Sequence, residues 1–171
     1  MQNDILFSEK QRFTQWWLWL ILFAVNSIFV YGCYQQIILG QEFGDKPMSN
    51  AGILVALSVV ALITFLFYSL KLETIIKVDG IYVRFFPFHI AYKKYSWDTI
   101  EKVYVRQYKP ITEYGGWGLR YGVFGNGNAL NVSGNQGLQI IFNNTTTMLL
   151  IGTKKPEELQ AVITKITAAP L

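Results

Sequence analysis

Little in this sequence has the residue types and spacing that covalent chemistry needs. His89 is the one histidine and Cys33 the one cysteine among 171 residues. No HExxH, GxSxG or CxxC occurs, so the motifs supply neither a zinc site nor a nucleophile with its base. His89 follows Pro87 and Phe88 and reads as a strand-edge residue rather than a base. Asp98 and Glu101 stand three apart after Trp97, a spacing that suits capping a turn better than acid–base work. Asn131, Asn143 and Asn144 each open an N-x-S/T sequon, which matters only if that part of the chain is secreted. No catalytic, cofactor-binding or metal-ligating residue is assigned, and the chain is expected not to be an enzyme.

The densest unusual stretch is 115–137, which holds eight of the fourteen glycines. A phosphate-cradling P-loop would need a strand, then GxxxxGK[ST], then a helix, and no Lys-Ser/Thr follows here. A dinucleotide fingerprint fails too, because the flanking patterns are strand-like and not βαβ. The expectation is a long excursion between strands, with glycines at turns and close backbone contacts. Inside it, Trp117 and Arg120 are candidates for partner or lipid contact. Trp117 has the shape to cap the domain or lie at a membrane interface, and Arg120 to meet a phosphate or a carboxylate.

Such residues must be held by the surrounding elements, and composition says what those are. The chain is 51% hydrophobic and only 15% charged, against roughly 25% charged for an ordinary soluble domain. Disorder is excluded by the same balance, with a net charge of only +4, and a disulfide framework by the lone cysteine. The deficit is concentrated: 29 uncharged residues separate Arg12 from Glu42, and 24 separate Lys46 from Lys71. A spanning helix needs about 20 mostly apolar residues. Spans are therefore expected at 16–38 and 51–70, giving an N-terminal segment 1–12, a hairpin 13–70 and a domain 71–171. Trp16, Trp17 and Trp19 at the start of the first span, and Tyr31 and Tyr34 towards its end, suit rings at headgroup level. The first span is too long for a secretory h-region and lacks a small-residue cleavage site, so it is not expected to be removed.

Within the hairpin, Asn26 is expected to hydrogen-bond across the helices or to a second copy, since an unpaired amide in hydrocarbon is costly. Gly52 and Ala56, four apart, are expected to let the backbones approach. Neither span carries an ionisable group other than Cys33 and the tyrosines, which argues against a pump or ion-coupled transporter. Lys10 and Arg12 before the hairpin, and Lys71, Lys77 and Arg84 after it, against Lys46 in the connecting loop, place both termini in the cytoplasm by the positive-inside rule.

The segment after residue 70 has 12 Lys and Arg against 7 Asp and Glu. Runs at 74–78, 81–86, 89–95, 100–107, 128–132, 137–142 and 145–151 alternate as strands, with Asp79-Gly80 and Asn143-Asn144 as turns. Pro156, Glu157 and Glu158, followed by Leu159, Val162, Ile163 and Ile166, open an amphipathic helix. The expected fold is a membrane α-helical hairpin plus a mainly-β domain: a seven-stranded antiparallel, partly open barrel capped by a C-terminal helix.

That layout, carried by LET...VDGIYVR at 72–84, YSWDTI at 95–100, GGWGLR at 115–120 and LIGT with PEEL at 150–159, resembles the bacterial membrane proteins in which two transmembrane helices precede a pleckstrin-homology-like (PH-like) domain. The resemblance covers essentially the whole chain. It implies a bacterial inner-membrane protein with a binding or assembly role, and brings no catalytic residues or cofactor. Some PH domains bind phosphoinositides through basic residues around an extended first hairpin loop. Here Lys77 and Arg84 are present, but position 82 is Tyr and the turn is only Asp79-Gly80, so no specific phosphoinositide site is expected. Lys93 and Lys94, with Lys102, Arg106, Lys109, Arg120, Lys154 and Lys155, offer weaker attraction to an anionic leaflet, at about 1 kcal/mol per basic residue near the surface. Tyr82, Arg84, Tyr104 and Arg106 sketch a nucleic-acid surface only in outline, and barrel packing explains them equally, so nucleic acid is not an expected partner. The expected partners are the bilayer and either a second copy or another membrane protein. The alternative reading is an accessory subunit of an envelope enzyme or transport complex, docked through the hairpin.

Overall fold

The structure is a computed structural model and describes residues 5–122, 127–143 and 146–168. The chain divides into two compact units, one made of residues 1–13 with 70–171 and the other of residues 14–69.

The second unit is a hairpin of two apolar helices. Helix α1 (Trp16–Cys33) continues through a wider-wound turn (Tyr34–Ile38) into a loop, and α2 (Asn50–Ser69) returns. Both are long and apolar enough to cross a membrane, and only 6% of the most apolar window of each is buried. That low burial separates them from the core helices of a soluble protein. The inward stripe of α1 runs through Leu22, Asn26, Phe29 and Cys33, at the helical period, with Gly32 buried beside it, and that of α2 through Ile53, Ala56, Val60 and Thr64.

The first unit is two sheets and a helix. Sheet A has the order β1-β2-β3-β4, from β1 (Ile5–Arg12), β2 (Lys71–Lys77), β3 (Gly80–Phe86) and β4 (Lys93–Tyr95), all antiparallel. Sheet B has the order β5-β8-β9-β7-β6, from β5 (Ile100–Gln107), β6 (Gly118–Arg120), β7 (Asn128–Asn131), β8 (Gln136–Phe142) and β9 (Met148–Gly152). A short helix, α3 (Pro110–Tyr114), follows β5, and α4 (Pro156–Ala168) ends the described chain, burying Leu159 and Ile163.

The period-two pattern decides the core. Leu72, Thr74 and Ile76 of β2 stand opposite Phe85, Val83 and Ile81 of β3 and are buried with them, while Leu138 and Ile140 of β8 and Leu150 of β9 fill sheet B. The inward face of β1 is Phe7, Glu9 and Gln11, paired with Ile76, Thr74 and Leu72. Its two polar residues reach the far end of β9. Gln11 Nε2 donates to the Gly152 carbonyl at 2.7 Å, and Glu9 accepts from Thr153 Oγ1 at 2.6 Å and from the Lys154 N–H at 2.8 Å.

Several expectations are corrected. The described residues form nine strands in two sheets, of four and five strands, with no closed barrel, in place of a seven-stranded antiparallel, partly open barrel. One added strand comes from the N-terminal segment and one, β6, from the Gly-rich stretch. The pairing is not wholly antiparallel, because β7 runs parallel to β9. The run at 89–95 shortens to β4, since Pro87, which follows a cis peptide bond, opens a turn that occupies the residues before it. The first hairpin loop is Val78-Asp79, because Gly80 already pairs with Lys77. Gly80 adopts φ +146°, and a Cβ there would overlap the Tyr95 carbonyl oxygen, so only glycine fits. Asn144 and Thr145, assigned to the last turn and strand, lie outside the described residues.

Candidate functional site

The clearest concavity in the β unit lies where β5 passes into α3. Pro110 occupies the first turn of α3, where its missing N–H costs nothing, and Gly115 ends the helix at φ +70°. Trp117 follows, and its Nε1 donates to the Gly134 carbonyl at 2.9 Å, fixing the indole against the loop before β8. Tyr108, Lys109, Pro110, Ile111, Trp117 and Asn135 line the groove, and Ile111 presents its side chain to solvent.

A polar frame holds this groove open. Tyr108 is buried, and its hydroxyl accepts from Asn131 Nδ2 at 3.1 Å, while Asn131 Oδ1 accepts from the Gly118 N–H at 2.8 Å at the start of β6. Burial pushes the Tyr108 phenol up to about 12. Arg106 donates from Nη2 to Glu113 at 2.7 Å and to the Tyr114 hydroxyl at 3.2 Å, and from Nε to Gln139 at 3.0 Å. Glu113 also accepts from the Lys109 N–H at 2.7 Å. The Arg106 bond, acting against burial, holds the Glu113 carboxyl below its ordinary range. Every charge in the frame is therefore paired, and the phenols stay protonated. The groove mixes apolar side chains, Pro110, Ile111 and Trp117, with the polar Lys109 and Asn135, which is the chemistry of a binding groove.

The residues singled out from sequence are distributed over three places. Trp117 lines the groove, with β6 beside it as the edge strand of sheet B. Arg120, at the end of β6, packs over Gly116, where a Cβ would lie 3.2 Å from its Nη2, and its Nε is buried without a hydrogen-bond partner. Lys93 and Lys94 are on the other sheet. Lys93 opens β4 opposite Val83, and Lys94 is bound to Asp79 at 2.6 Å, at the β2–β3 turn. Asn26 is in the hairpin, donating to Thr64 Oγ1 at 2.8 Å and to the Leu22 carbonyl at 2.7 Å. Gly52 does not face the other helix: a Cβ there would meet Met48 and Ser49 of its own chain entry. The tight approach is at Gly32, where a Cβ would lie 2.7 Å from the Phe43 ring and 2.9 Å from Ile53 Cδ1.

Thr64, Gly32, Tyr108, Asn131 and the pair Glu9–Thr153 carry roles that sequence reasoning missed. Thr64 had a signal, being a hydroxyl in an apolar span as Asn26 is an amide in the other. Asn131, one of the sequon asparagines, is fully buried with both amide atoms bonded. Sole histidine His89 is half-buried, and burial followed by the nearby Lys93 lowers it below its ordinary value. Among the described residues no group of three or more His, Cys, Asp or Glu side chains is arranged to hold a metal.

Comparison with protein families, with curated proteins and with solved structures returns no match.

Proposed function

We propose that the chain is a membrane-anchored binding or assembly module, whose hairpin spans the inner membrane of a bacterium and whose PH-like β domain works at the cytoplasmic face. The observation that carries this reading is the insertion of the apolar hairpin between β1 and β2, neighbours in one sheet. A chain that leaves the sheet after β1 and returns to the adjacent strand has both hairpin ends on one side of any bilayer. Exposed Leu20, Ile21, Phe23, Leu54, Val55 and Leu62 suit lipid, since an apolar surface of that extent is foreign to soluble monomers. Cleavage of α1 as a signal peptide would strip Phe7, Glu9 and Gln11 from the domain interior, which argues against it. The Lys and Arg bias supports the cytoplasmic side.

The groove beside Trp117 is the binding site in this reading, with edge strand β6 able to extend a bound peptide by backbone pairing. The test is cross-linking in intact membranes with a photoreactive side chain at Ile111, followed by the same experiment on Trp117→Ala. A partner or second copy captured by the parent and lost in the variant supports the module. Neither partner nor self-association at Ile111 sinks it.

A groove along α1, lined by Phe23, Asn26, Ser27, Val30, Tyr31 and Tyr34, favours the second reading, an accessory subunit docked through the hairpin. A partner that survives Trp117→Ala but is lost in Ser27→Leu selects it.

A further inference from the structure

One turn of sheet A displays apolar side chains that its own scaffold holds outward. Residues 87–92 connect β3 to β4, and Ile90 is 81% exposed, more than any other large hydrophobic side chain among the described residues. Phe88 is 55% exposed. The turn is well braced. The His89 N–H donates to the Phe85 carbonyl at 2.8 Å, and Phe88 stacks on Phe85 with centroids 6.2 Å apart. Arg84 Nη1 donates to the Ile90 carbonyl at 3.3 Å, and its guanidinium lies 4.5 Å from the centre of the Tyr92 ring. Tyr92 in turn donates to Glu73 at 2.9 Å, and Glu73 binds Arg84. A turn secured by five such contacts is built to present Ile90 and Phe88.

Register says where it presents them. Arg12, the last residue of β1, pairs with Lys71, the first of β2, and Lys71 pairs with Phe86, the last of β3. The turn therefore starts at the same end of sheet A from which the chain runs on into both apolar helices. Arg12 and Lys71 lie at this end, Lys93 opens β4 midway along the sheet opposite Val83, and the opposite end carries Lys77 beside the ion pair Asp79–Lys94. An apolar tip rimmed by cations, next to two chain entries into lipid, is complementary to the headgroup layer of an anionic leaflet.

We propose that residues 87–92 form a lipid-docking turn, which sets Ile90 and Phe88 into the headgroup region of the leaflet that the hairpin enters. It rests on the reading of the hairpin as membrane-spanning, and it gives the domain an attachment to lipid besides the two chain entries.

The full chain, with Cys33→Ser as background, carries one new cysteine at a time: Ile90→Cys, Phe88→Cys, Val78→Cys at the far turn of the sheet, or Leu62→Cys on the outer face of α2. Each is labelled with an environment-sensitive fluorophore and reconstituted in vesicles of phosphatidylcholine and phosphatidylglycerol containing spin-labelled lipids. All four side chains are exposed, so the substitutions leave the cores intact. The expected result is loss of fluorescence and a blue shift at 90 and 88 with labels near the headgroup, neither at 78, and loss at 62 with labels in mid-chain. If 62 is quenched while 90 and 88 behave like 78, the docking turn is refuted and the spanning hairpin stands. If 62 is not quenched, the spanning hairpin fails and the docking turn with it.

Discussion

Arg12 and Lys71 stand opposite one another in the β1–β2 ladder, although the whole apolar hairpin lies between them in the chain. Like charges directly opposite across antiparallel strands are destabilising, and here they occupy the strand ends next to the two helices. Anionic headgroups would offset the repulsion wherever that end of the sheet met them. Lys71 also lies over the Phe86 ring, 5.1 Å from its centre, which keeps its charge at the strand end.

The charge pair gives a prediction whose sign depends on surroundings. Lys71→Glu converts repulsion into attraction and is expected to raise stability in neutral detergent by about 0.5 kcal/mol. In vesicles rich in anionic lipid the same variant is expected to be less stable than the parent, because a cation near the surface is replaced by an anion. Thermal unfolding followed by circular dichroism in the two media checks it. The same sign in both would remove lipid from the explanation.

Glu9 is expected to be the most costly single polar residue in the first unit. It is only 7% exposed, and its carboxylate accepts the Thr153 hydroxyl and the Lys154 N–H. Glu9→Ala strands those donors and is expected to cost about 2–3 kcal/mol. In a double-mutant cycle with Thr153→Val, the two changes are expected to couple by about 1–2 kcal/mol, since they break one contact. Denaturant unfolding measures both, and additive effects would mean that the contact carries no stability.

The same strand shows why part of this fold was illegible. The hairpin is announced by its two uncharged stretches, and β3, β5 and α4 by simple periods. In β1 the inward positions are Phe7, Glu9 and Gln11, so a pattern reader sees polar residues where a buried face requires apolar ones. Their burial is licensed by acceptors and donors at the end of β9, distant in sequence and invisible to any local rule. The Trp117 groove failed in the same way. Trp117 itself stood out, but Tyr108 and Asn131 become partners only because the chain leaving β5 meets the end of β7 in three dimensions. Gly52 and Gly32 differ only in which side of a helix they occupy, and an almost uniformly apolar helix gives no phase from which to tell them apart.

Asn26 Nδ2 donates across the hairpin to Thr64 Oγ1 at 2.8 Å, between largely apolar faces. Such bonds within a membrane are worth about 0.6–2 kcal/mol. Thr64 Oγ1 also donates to the Val60 carbonyl at 2.9 Å, so Thr64→Val removes the acceptor without leaving the hydroxyl unpaired. The cycle of Asn26→Leu and Thr64→Val, read by unfolding in sodium dodecyl sulfate, is expected to show a coupling of about 1 kcal/mol. Zero coupling would reduce the pair to incidental contact.

The outer face of sheet A supplies the pH dependence. Glu73 lies between Lys10 on β1 and Arg84 on β3, with Tyr92 closing over it. Burial alone would raise its carboxyl, but the bonds from Arg84 and Tyr92 and the charge of Arg84 outweigh burial and hold it below the ordinary 4.5. A carboxyl with a depressed folded value adds stability that is fully present above its unfolded value and is lost as pH falls through the folded one. The β domain is therefore expected to keep this contribution at neutral pH and lose it below pH 4.5. Glu113, lowered by Arg106, acts with the same sign, so Glu73→Gln is expected to flatten the acid-side slope without abolishing it. Arg84→Lys is expected to do so less, because an ammonium keeps the charge but loses the forked pair of donors. Stability measured at a series of pH values decides the matter: an acid-side slope unchanged by Glu73→Gln would mean that the Lys10–Glu73–Arg84 ladder does not couple protonation to folding.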